Sequence, residues 1–170
     1  ICTARPAPNV SPRLPQGAPT SPALSNLICL RLDHRLSQLA KKFQASYTRY
    51  ADNITFSGGK ELKMALKRFF PLLKSVIKSE GFQFNWKKTG VRKSSGSQIV
   101  TGVVVNKKPN VPKRYYKIVR SAIHHLNSGK EFTIGKKVID LQAIRGMISY
   151  IQQINPPRAE KLKSMINLRT

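Results

Sequence analysis

Acidic residues are scarce in this sequence. Its 170 residues include 7 Asp or Glu against 31 Lys or Arg, which gives a formal net charge of +24. That charge is far more than solubility needs, and it predicts a polyanionic partner, with nucleic acid as the first choice and an anionic membrane surface as the second. A solvated basic surface is the alternative interpretation, and it too would bind nucleic acid.

Cysteines and long apolar runs are also nearly missing. Cys2 and Cys29 are too few for a disulfide framework or a zinc site, which favours a reducing cytoplasm. No apolar run approaches the ~20 residues of a spanning helix. The first residues, I-C-T-A-R-P-A-P, lack the charged start and apolar middle of a signal peptide. We therefore expect a cytoplasmic protein with no membrane partner, and the start at Ile1 rather than Met indicates a piece of a longer protein.

The first half of the chain predicts an α+β arrangement. Five prolines make residues 1–19 a loop, and a helix begins with Ser21 as its N-cap and Pro22 at its first position. The residues expected on the buried face of this helix are Leu24, Leu27, Ile28, Leu32, Leu36, Leu39 and Phe43. The next stretch, Y-T-R-Y-A-D-N-I-T-F-S, predicts a β-hairpin with Asp52 and Asn53 at its turn.

A second helix and several short strands follow the hairpin. The helix is expected over residues 60–80, with a kink or restart at Pro71 and Gly81 as its C-cap. Alternation of Phe82, Phe84 and Trp86 predicts a short strand. Residues 98–106, Q-I-V-T-G-V-V-V-N, predict two more strands with Gly102 at a bend.

The composition changes after residue 106. A basic, proline-rich joint, K-K-P-N-V-P-K-R, precedes three helical stretches near 114–126, 138–154 and 158–167. We place a boundary near residue 107. Residues 1–106 then form a mixed α/β part, and residues 107–170 form a small basic helical part.

Asp52 is the residue whose chemistry needs an explanation. A carboxylate at the tip of a hairpin is held by two paired strands and is open to solvent, as a Mg²⁺ ligand facing a phosphate substrate must be. Two-metal nucleotidyl transfer requires at least two carboxylates, from different elements, around metals ~3.5–4 Å apart. Taken alone, however, an Asp at a turn is usually only a turn former.

Several motifs in order resemble those of reverse transcriptases. L-P-Q-G-A-P-T-S-P at 14–22 is similar to the block that opens a palm helix in that family, and Y-A-D-N at 50–53 is similar to its catalytic Tyr-Ala-Asp-Asp turn. G-F-Q-F-N-W-K-K-T at 81–89 resembles the family's Gly…Asn…Lys-Thr block, and V-T-G-V-V-V-N at 100–106 resembles its primer-grip region. With R-Y-A-D, the V-T-G form most resembles bacterial retron-type enzymes. The resemblance covers residues 14 to about 155.

The resemblance implies an RNA-directed DNA polymerase fragment, with a partial palm over 1–106 and a helical thumb over 107–170. In such a fragment, Asp52 would hold Mg²⁺ or Mn²⁺, and Asn53 would hold it more weakly. Tyr50 would lie near the primer terminus, and Lys88 would lie near the triphosphate. The nucleotide and template pocket would be lined by Gln16, Gly17, Ala18 and Pro19, and the primer grip would contain Gly102 and Val103. The candidates for phosphate contacts are Lys107, Lys108, Lys113, Arg114, Lys117 and Arg120.

Two departures from the family pattern bear on activity. The family's other essential carboxylate lies upstream of the Q-G-x-P block, and no Asp or Glu precedes Gln16 here. We therefore expect residues 1–170 alone not to polymerise. Asn53 stands where the family usually has a second Asp; it keeps a carbonyl oxygen but loses the charge, so a metal is held less tightly.

The expected partners are an RNA template, a primer–template duplex and dNTPs. A structured non-coding RNA, effector proteins and a role in antiviral defence are further implications of the retron resemblance. Two alternatives stay open. One is a group II intron-type reverse transcriptase with maturase function, which predicts a larger basic domain beyond the thumb. The other is a catalytically inactive relative that is kept for RNA binding.

Overall fold

A computed structural model of the chain describes residue 15 and residues 17–166. These residues form five α-helices and three two-stranded antiparallel ribbons, which agrees with the predicted α+β class. Contacts divide the chain into two compact units between Thr89 and Gly90, whereas the sequence predicted a boundary near residue 107. One reason for the difference is that the ribbon before residue 107 pairs with the second unit through the backbones of Val104 and Asn110.

Helix α1, Ser21–Lys42, opens the described part of the first unit. It begins one residue earlier than predicted, because Thr20 occupies the N-cap position and Pro22 lies in the first turn. The Ser21 hydroxyl does not cap the helix but donates a hydrogen bond of 2.7 Å to the carbonyl of Pro15. The preceding loop is thereby tied to the start of α1.

The buried face of α1 is narrower than the sequence predicted. Leu32, Leu36 and Leu39 are buried as expected. Leu27 and Ile28 are more than 60 % exposed, so their assignment to the buried face was wrong for this structure. The apolar positions of α1 cover a wider arc of the helix than the hairpin and second helix of this unit can cover.

Strands β1, Ala45–Tyr50, and β2, Asn53–Gly58, form the predicted hairpin. Inward and outward positions alternate along β1, as they do in a strand with one buried face. The register pairs Tyr50 with Asn53, so the two turn residues are Ala51 and Asp52 rather than the predicted Asp52 and Asn53. Ala51 has a φ of 51°, in the left-handed region.

Helix α2, Lys60–Ser79, packs against α1 and the hairpin. It runs through Pro71 without a restart, and Pro71 lies on an exposed face. The buried Phe69 ring lies 4.9 Å from Phe56 of β2 and 5.3 Å from Phe43 after α1. These edge-to-face contacts fix the hairpin to the two helices.

The segment after α2 is not the predicted strand. Residues 82–85 are irregular, and Trp86–Lys88 forms a 3₁₀ turn. Phe82 and Phe84 still pack against the helical core. Their alternation therefore reflects a half-buried irregular segment whose two rings face the helical core.

The second unit contains the predicted ribbon and three helices. Its bounds are β3, Ile99–Val100; β4, Val103–Val104; α3, Lys113–Asn127; β5, Thr133–Ile134; β6, Lys137–Val138; α4, Leu141–Ile154; and α5, Pro156–Lys163. The β5–β6 ribbon was not predicted, and it takes Val138 out of the helix expected there. Asp140 accepts a bond from the backbone of Ala143 and so caps α4. Within the described residues, every helix is too short or too polar to span a bilayer.

Replacing Phe69 by Ala tests the aromatic contact that joins the hairpin to α2. Phe69 is 3 % exposed, so truncation should lower the free energy of unfolding of the first unit by about 3–5 kcal/mol. Urea unfolding followed by the fluorescence of Trp86, the single tryptophan, measures this change. Met64 on the same helix is 75 % exposed, and Met64→Ala should change the value by less than about 0.5 kcal/mol. Equal losses in the two variants would contradict the packing described.

Candidate functional site

The candidate site is built on the turn between β1 and β2. Asp52 lies at the tip and is exposed, as is Asn53, which begins β2. Tyr50 and Asn53 are direct cross-strand partners, so their side chains lie on the same face of the hairpin. That is the outer face, and Tyr50 is 69 % exposed on it. The Asn53 amide donates a long bond of 3.4 Å to Asp52 Oδ1, which leaves the other carboxylate oxygen directed to solvent or a ligand.

Asp52 differs from most acidic side chains of this chain. Asp33 pairs with Arg49, Glu80 with Arg35 and Arg31, and Glu160 with Lys163. A fourth acidic residue, Asp140, caps α4. Among the described residues, Asp52 makes no ion pair, even though basic residues outnumber acidic ones more than fourfold. An exposed, unpaired carboxylate in so basic a chain is available to a ligand.

A partly buried polar cluster lies directly behind the turn. The Arg49 guanidinium donates from Nε to Asp33 Oδ1 at 2.7 Å and from Nη2 to Asp33 Oδ2 at 2.6 Å, which is bidentate pairing. Nη1 donates to the carbonyl of Ala51 at 2.9 Å, and Nη2 also contacts Asn26 Oδ1 at 3.2 Å. Tyr47 donates its hydroxyl to Asp33 Oδ1 at 2.6 Å. The cluster joins α1, β1 and the turn.

The protonation states of this cluster are fixed by its own contacts. The Arg49 guanidinium holds the pKa of the Asp33 carboxyl below its usual range, although partial burial acts in the opposite direction. Burial, and then the hydrogen bond to Asp33, raises the pKa of Tyr47. The bond to Asp33 also raises the pKa of Arg49. Asp33 is therefore ionised and both donors are protonated at neutral pH.

Sequence reasoning missed this cluster, although a signal was present. Ala45, Tyr47 and Arg49 occupy the inward positions of β1. A buried Arg requires a carboxylate or other acceptors. With 7 acidic residues in the whole chain, Asp33 on the neighbouring helix was one of few possible partners. The strand alternation therefore contained the information that Arg49 points inward.

The predicted nucleotide-binding block lies just before α1. Gln16 lies outside the described residues. Gly17 is exposed with a φ of 84°, which side chains rarely adopt, so the turn itself requires a glycine. Among the described residues, no atom lies within 4 Å of the position that a Cβ at Gly17 would take. Ala18 is half-buried and accepts the first backbone bond of α1, from Ser21 at 3.1 Å, while Pro19 is exposed.

Lys88 lies at the end of the 3₁₀ turn Trp86–Lys88, in the same unit as Asp52. Asn85 shapes this turn, because its side chain accepts from the backbone of Lys88 at 3.3 Å and its carbonyl accepts from the Thr89 hydroxyl at 2.7 Å. The Lys88 side chain is exposed. The Asn and Thr of the Asn…Lys-Thr block thus position the lysine, and its predicted role beside a triphosphate stays a prediction.

The predicted primer-grip residues lie in the second unit. Gly102, with a φ of 88°, occupies the tight turn between β3 and β4, where the sequence predicted a bend. A side chain added at Gly102 would contact the Tyr150 hydroxyl at 4.0 Å. Val103 is half-buried at the start of β4. The local geometry is the predicted one, and contact with a primer stays a prediction.

The predicted phosphate contacts also lie in the second unit. Lys107 and Lys108 are exposed in the loop before α3. The candidates on α3 are all exposed: Lys113, Arg114, Lys117 and Arg120. The opposite face of α3 is apolar, with Val119, Ala122 and Ile123 buried. Lys113, Arg114 and Lys117 line an open hollow of about 490 Å³ together with Phe132. A basic face with an aromatic edge suits a nucleic-acid backbone.

The donors at the turn suit a hard divalent cation in part. Asp52 offers a carboxylate and Asn53 an amide oxygen, which are oxygen ligands of the kind Mg²⁺ takes. Within residues 15 and 17–166 no three His, Cys, Asp or Glu side chains cluster closely enough to hold a metal by themselves. Mg²⁺ commonly uses one or two carboxylates, water and substrate phosphates, so the turn fits one side of such a coordination sphere.

Comparison with known families gives a match over most of the chain. The family model described as reverse transcriptase (RNA-dependent DNA polymerase) matches residues 9–128. The match includes the Q-G-A-P block, the hairpin with Asp52, and the whole of α2 and α3.

Individual relatives are similar over nearly all of the chain. A retron Mx65 reverse transcriptase of Myxococcus xanthus is 39% identical over 154 residues, which are 90% of this chain and 34% of that protein. A retron Ec86 reverse transcriptase of Escherichia coli is 37% identical over 155 residues, covering 91% of this chain and 46% of that protein. A retron Mx162 reverse transcriptase of M. xanthus is 37% identical over 85% of this chain. The chain spans roughly a third to a half of the length of these relatives.

Changing Asp33 to Asn tests the partly buried cluster through pH. Because the folded-state pKa of Asp33 is lowered, its stabilising effect is present above the unfolded pKa of about 3.9 and is lost as the pH falls through the folded value. At pH 7, Asp33→Asn should lower the free energy of unfolding of the first unit by about 1–3 kcal/mol. The difference between variant and wild type should shrink on acidification towards pH 2. Urea unfolding by Trp86 fluorescence at several pH values measures it, and a difference independent of pH would contradict the ion pair.

Proposed function

The chain belongs to the reverse transcriptase family, and we propose that it is part of a retron-type RNA-directed DNA polymerase. The observation that carries the proposal is Asp52, an exposed carboxylate at the tip of a hairpin that makes no ion pair with any described residue, within the Y-A-D-N turn of a chain with a net charge of +24. The similar retron reverse transcriptases support the subtype. The group II intron-type alternative has no corresponding support among these relatives.

In the proposed reaction, the primer 3′-hydroxyl attacks the α-phosphate of a dNTP, a P–O bond forms and pyrophosphate leaves. Asp52 would bind divalent metal through its exposed carboxylate, with Asn53 contributing an amide oxygen. Mg²⁺ bound there would neutralise negative charge on the reacting phosphates. Tyr50 lies on the same face of the hairpin as Asn53, so it would pack beside the primer terminus. A second carboxylate from another part of the protein would complete a two-metal site.

The other residues of the first unit would hold the nucleotide. The positive φ of Gly17 would let the backbone approach the incoming nucleotide and template base closely, with Gln16, Ala18 and Pro19 shaping the pocket. Lys88 would offset negative charge on the leaving pyrophosphate, as a cation fixed in place can. Its exposed position, on a 3₁₀ turn braced by Asn85, is compatible with this role.

The second unit would bind the primer–template duplex. Gly102 and Val103 would support the primer strand from the β3–β4 ribbon. The exposed cations of α3 and of the loop before it would contact phosphates, because each neutralised phosphate releases counterions. In this assignment residues 1–106 form a partial palm, which includes the β3–β4 ribbon, and residues 107–170 form a basic helical thumb. As further partners of the retron-type enzyme we propose a structured non-coding RNA and effector proteins.

One observation favours a second candidate function. Asn53 lacks the charge that the family usually places there, and the described residues contain no second carboxylate next to Asp52. A polymerase relative that has lost catalysis and is kept for RNA binding would have such a turn. The exposed Asp52 and the complete Q-G-A-P-T-S-P block favour the enzyme, since a pure RNA clamp has no need of either.

Primer extension on an RNA template, with Mg²⁺ or Mn²⁺, tests the proposed enzyme. The assay uses the longer polymerase that contains residues 1–170. Wild type should synthesise DNA, Asp52→Ala should reduce synthesis below detection because the metal ligand is lost, and Asn53→Asp should retain synthesis and lower the Mg²⁺ concentration it requires. Glu61→Ala removes an exposed carboxylate elsewhere in the same unit and should change nothing.

Three other results would be decisive against parts of this proposal. Synthesis that appears only in Asn53→Asp would identify a dead site on a working scaffold. Absence of synthesis in every variant, with tight RNA binding, would favour the RNA-binding relative. Synthesis that survives Asp52→Ala would remove Asp52 from the metal site.

Salt dependence of duplex binding tests the basic face of α3. Replacing Lys113, Arg114 and Lys117 together by Ala should lower affinity and reduce the slope of log K against log salt concentration by roughly 2–3, because each lost phosphate contact removes about 0.9 from the slope. Fluorescence anisotropy with an RNA–DNA duplex measures this. Lys60, Lys63 and Lys67, exposed on α2, give a control variant with a similar loss of charge. An equal change in slope for both triple variants would mean that only the net charge of the chain matters, and it would contradict a specific role for the α3 face.

A further inference from the structure

The turn that carries Asp52 has a conformation that its own residues do not favour. Ala51 has a φ of 51°, where the methyl group of an L-residue crowds the backbone. Glycine adopts this conformation freely, and Asn or Asp tolerates it through local hydrogen bonds, but Ala does neither. Both turn residues are exposed, so packing does not hold them either. Another contact must keep the turn in place.

Arg49 supplies that contact. Its Nη1 donates to the carbonyl of Ala51 at 2.9 Å, at the peptide that links Ala51 to Asp52. The Arg49 side chain is 7 % exposed, so this bond is formed from a position largely withdrawn from water. The guanidinium is planar and rigid, and therefore fixing two of its edges fixes the direction of the third.

The remaining donors of Arg49 are held by α1. Asp33 accepts from Nε and Nη2 at 2.7 and 2.6 Å, and Asn26 lies two turns earlier on the same helix with Oδ1 at 3.2 Å from Nη2. Asp33 lies next to the buried Leu32 in the middle of a 22-residue helix, so its backbone is anchored in the core. Tyr47 on β1 donates its hydroxyl to the same Asp33 carboxylate. The bond to Ala51 thus extends from the most rigid element of the unit.

We propose that Arg49, oriented by Asp33, is a positioning residue that fixes the Ala51–Asp52 turn and so aims the Asp52 carboxylate at the metal. This inference rests on the proposed role of Asp52. We assign Arg49 no contact with metal or nucleotide, because it is a cation and four of its five N–H donors are used by Asp33, Asn26 and the Ala51 carbonyl. Loss of the Arg49 hydrogen bonds should therefore misplace the Asp52 carboxylate and leave nucleic-acid binding intact.

The first test uses Arg49→Lys in the 170-residue chain. Lysine keeps the positive charge and can still pair with Asp33, but its single amino group cannot reproduce the bidentate pair and the bond to Ala51 together. Amide hydrogen exchange at Asn53, which closes the hairpin against Tyr50, should rise by about tenfold or more, since an opened turn loosens this cross-strand pair. Asp33→Asn should raise exchange at the same amide although it lies outside the turn, because it acts through Arg49.

The matched control is Arg35→Lys. Arg35 also pairs with a carboxylate of low exposure, Glu80, and it joins α1 to the end of α2. This variant makes the same chemical change in the same unit, away from the turn. It should leave exchange at Asn53 within about twofold of wild type. Circular dichroism and Trp86 fluorescence establish that each variant is folded before the comparison.

The second test measures turnover in the longer polymerase. Arg49→Lys should lower kcat by on the order of tenfold to a hundredfold, as expected for a misplacement of about 1 Å, and should raise the Mg²⁺ concentration needed for half-maximal rate. KM for the dNTP and Kd for the primer–template should stay within about threefold. Arg35→Lys should leave all four values near wild type.

The two tests separate failure of this inference from failure of the proposed function. Faster exchange at the turn in Arg49→Lys, with wild type lacking polymerase activity, would support the positioning of the turn and overturn only the enzyme assignment. Unchanged exchange and unchanged kcat in Arg49→Lys would overturn the positioning role. A parallel rise of exchange in Arg35→Lys would overturn it too, since the effect would then be general loss of stability.

Discussion

The bidentate pair between Asp33 and Arg49 is the interaction on which the organisation of the first unit depends. Removing either partner would leave the other with unpaired hydrogen-bonding groups in a largely buried position, which is far less favourable than losing an exposed pair. The pair joins the central turns of α1 to the inner face of β1. Apolar contacts hold the far end of the hairpin, through Phe56 and Phe69. The polar pair holds the end that carries Asp52, where an apolar core cannot extend because the site must be open.

Four of the seven acidic residues form ion pairs or cap a helix, and Asp52 does neither among the described residues. In a chain with 31 cations, an exposed carboxylate attracts nearby Lys and Arg side chains unless the backbone directs it away from them. Asp33 and Glu80 are used as structural anchors between elements, and Asp140 as a helix cap. Asp52 is presented at the tip of a two-residue turn, where it is exposed and makes no ion pair with a described residue. The hairpin therefore keeps this charge available despite the basic surroundings.

Local patterns predicted much of the fold, and tertiary contacts account for the rest. Helix α2, the hairpin and the Gly102 turn follow from periodicity and turn chemistry, and they were found where expected. The turn was off by one residue because Ala51, an unfavourable residue for positive φ, is held there by Arg49, a contact that no local rule contains. Phe82 and Phe84 alternate as in a strand, but they do so in an irregular segment that packs against the helical core. The motif residues of the site were predicted from the sequence. The cluster of Asp33, Tyr47 and Arg49 was not, because predicting it requires knowing how β1 lies against α1.

The replacement of a second Asp by Asn53 has a specific consequence for how metal reaches the turn. Two adjacent carboxylates could attract Mg²⁺ before the nucleotide arrives, but one carboxylate within a chain of net charge +24 attracts it weakly. A dNTP carries its own negative charge and Mg²⁺ is commonly bound through substrate phosphates. Metal would then enter with the nucleotide, and the amide oxygen of Asn53 would need only to complete the coordination. Under that order of binding, which rests on the proposed role of Asp52, the precise aim of the single carboxylate would matter more than the total charge of the turn, because the metal would come to the turn already bound to its phosphate ligands.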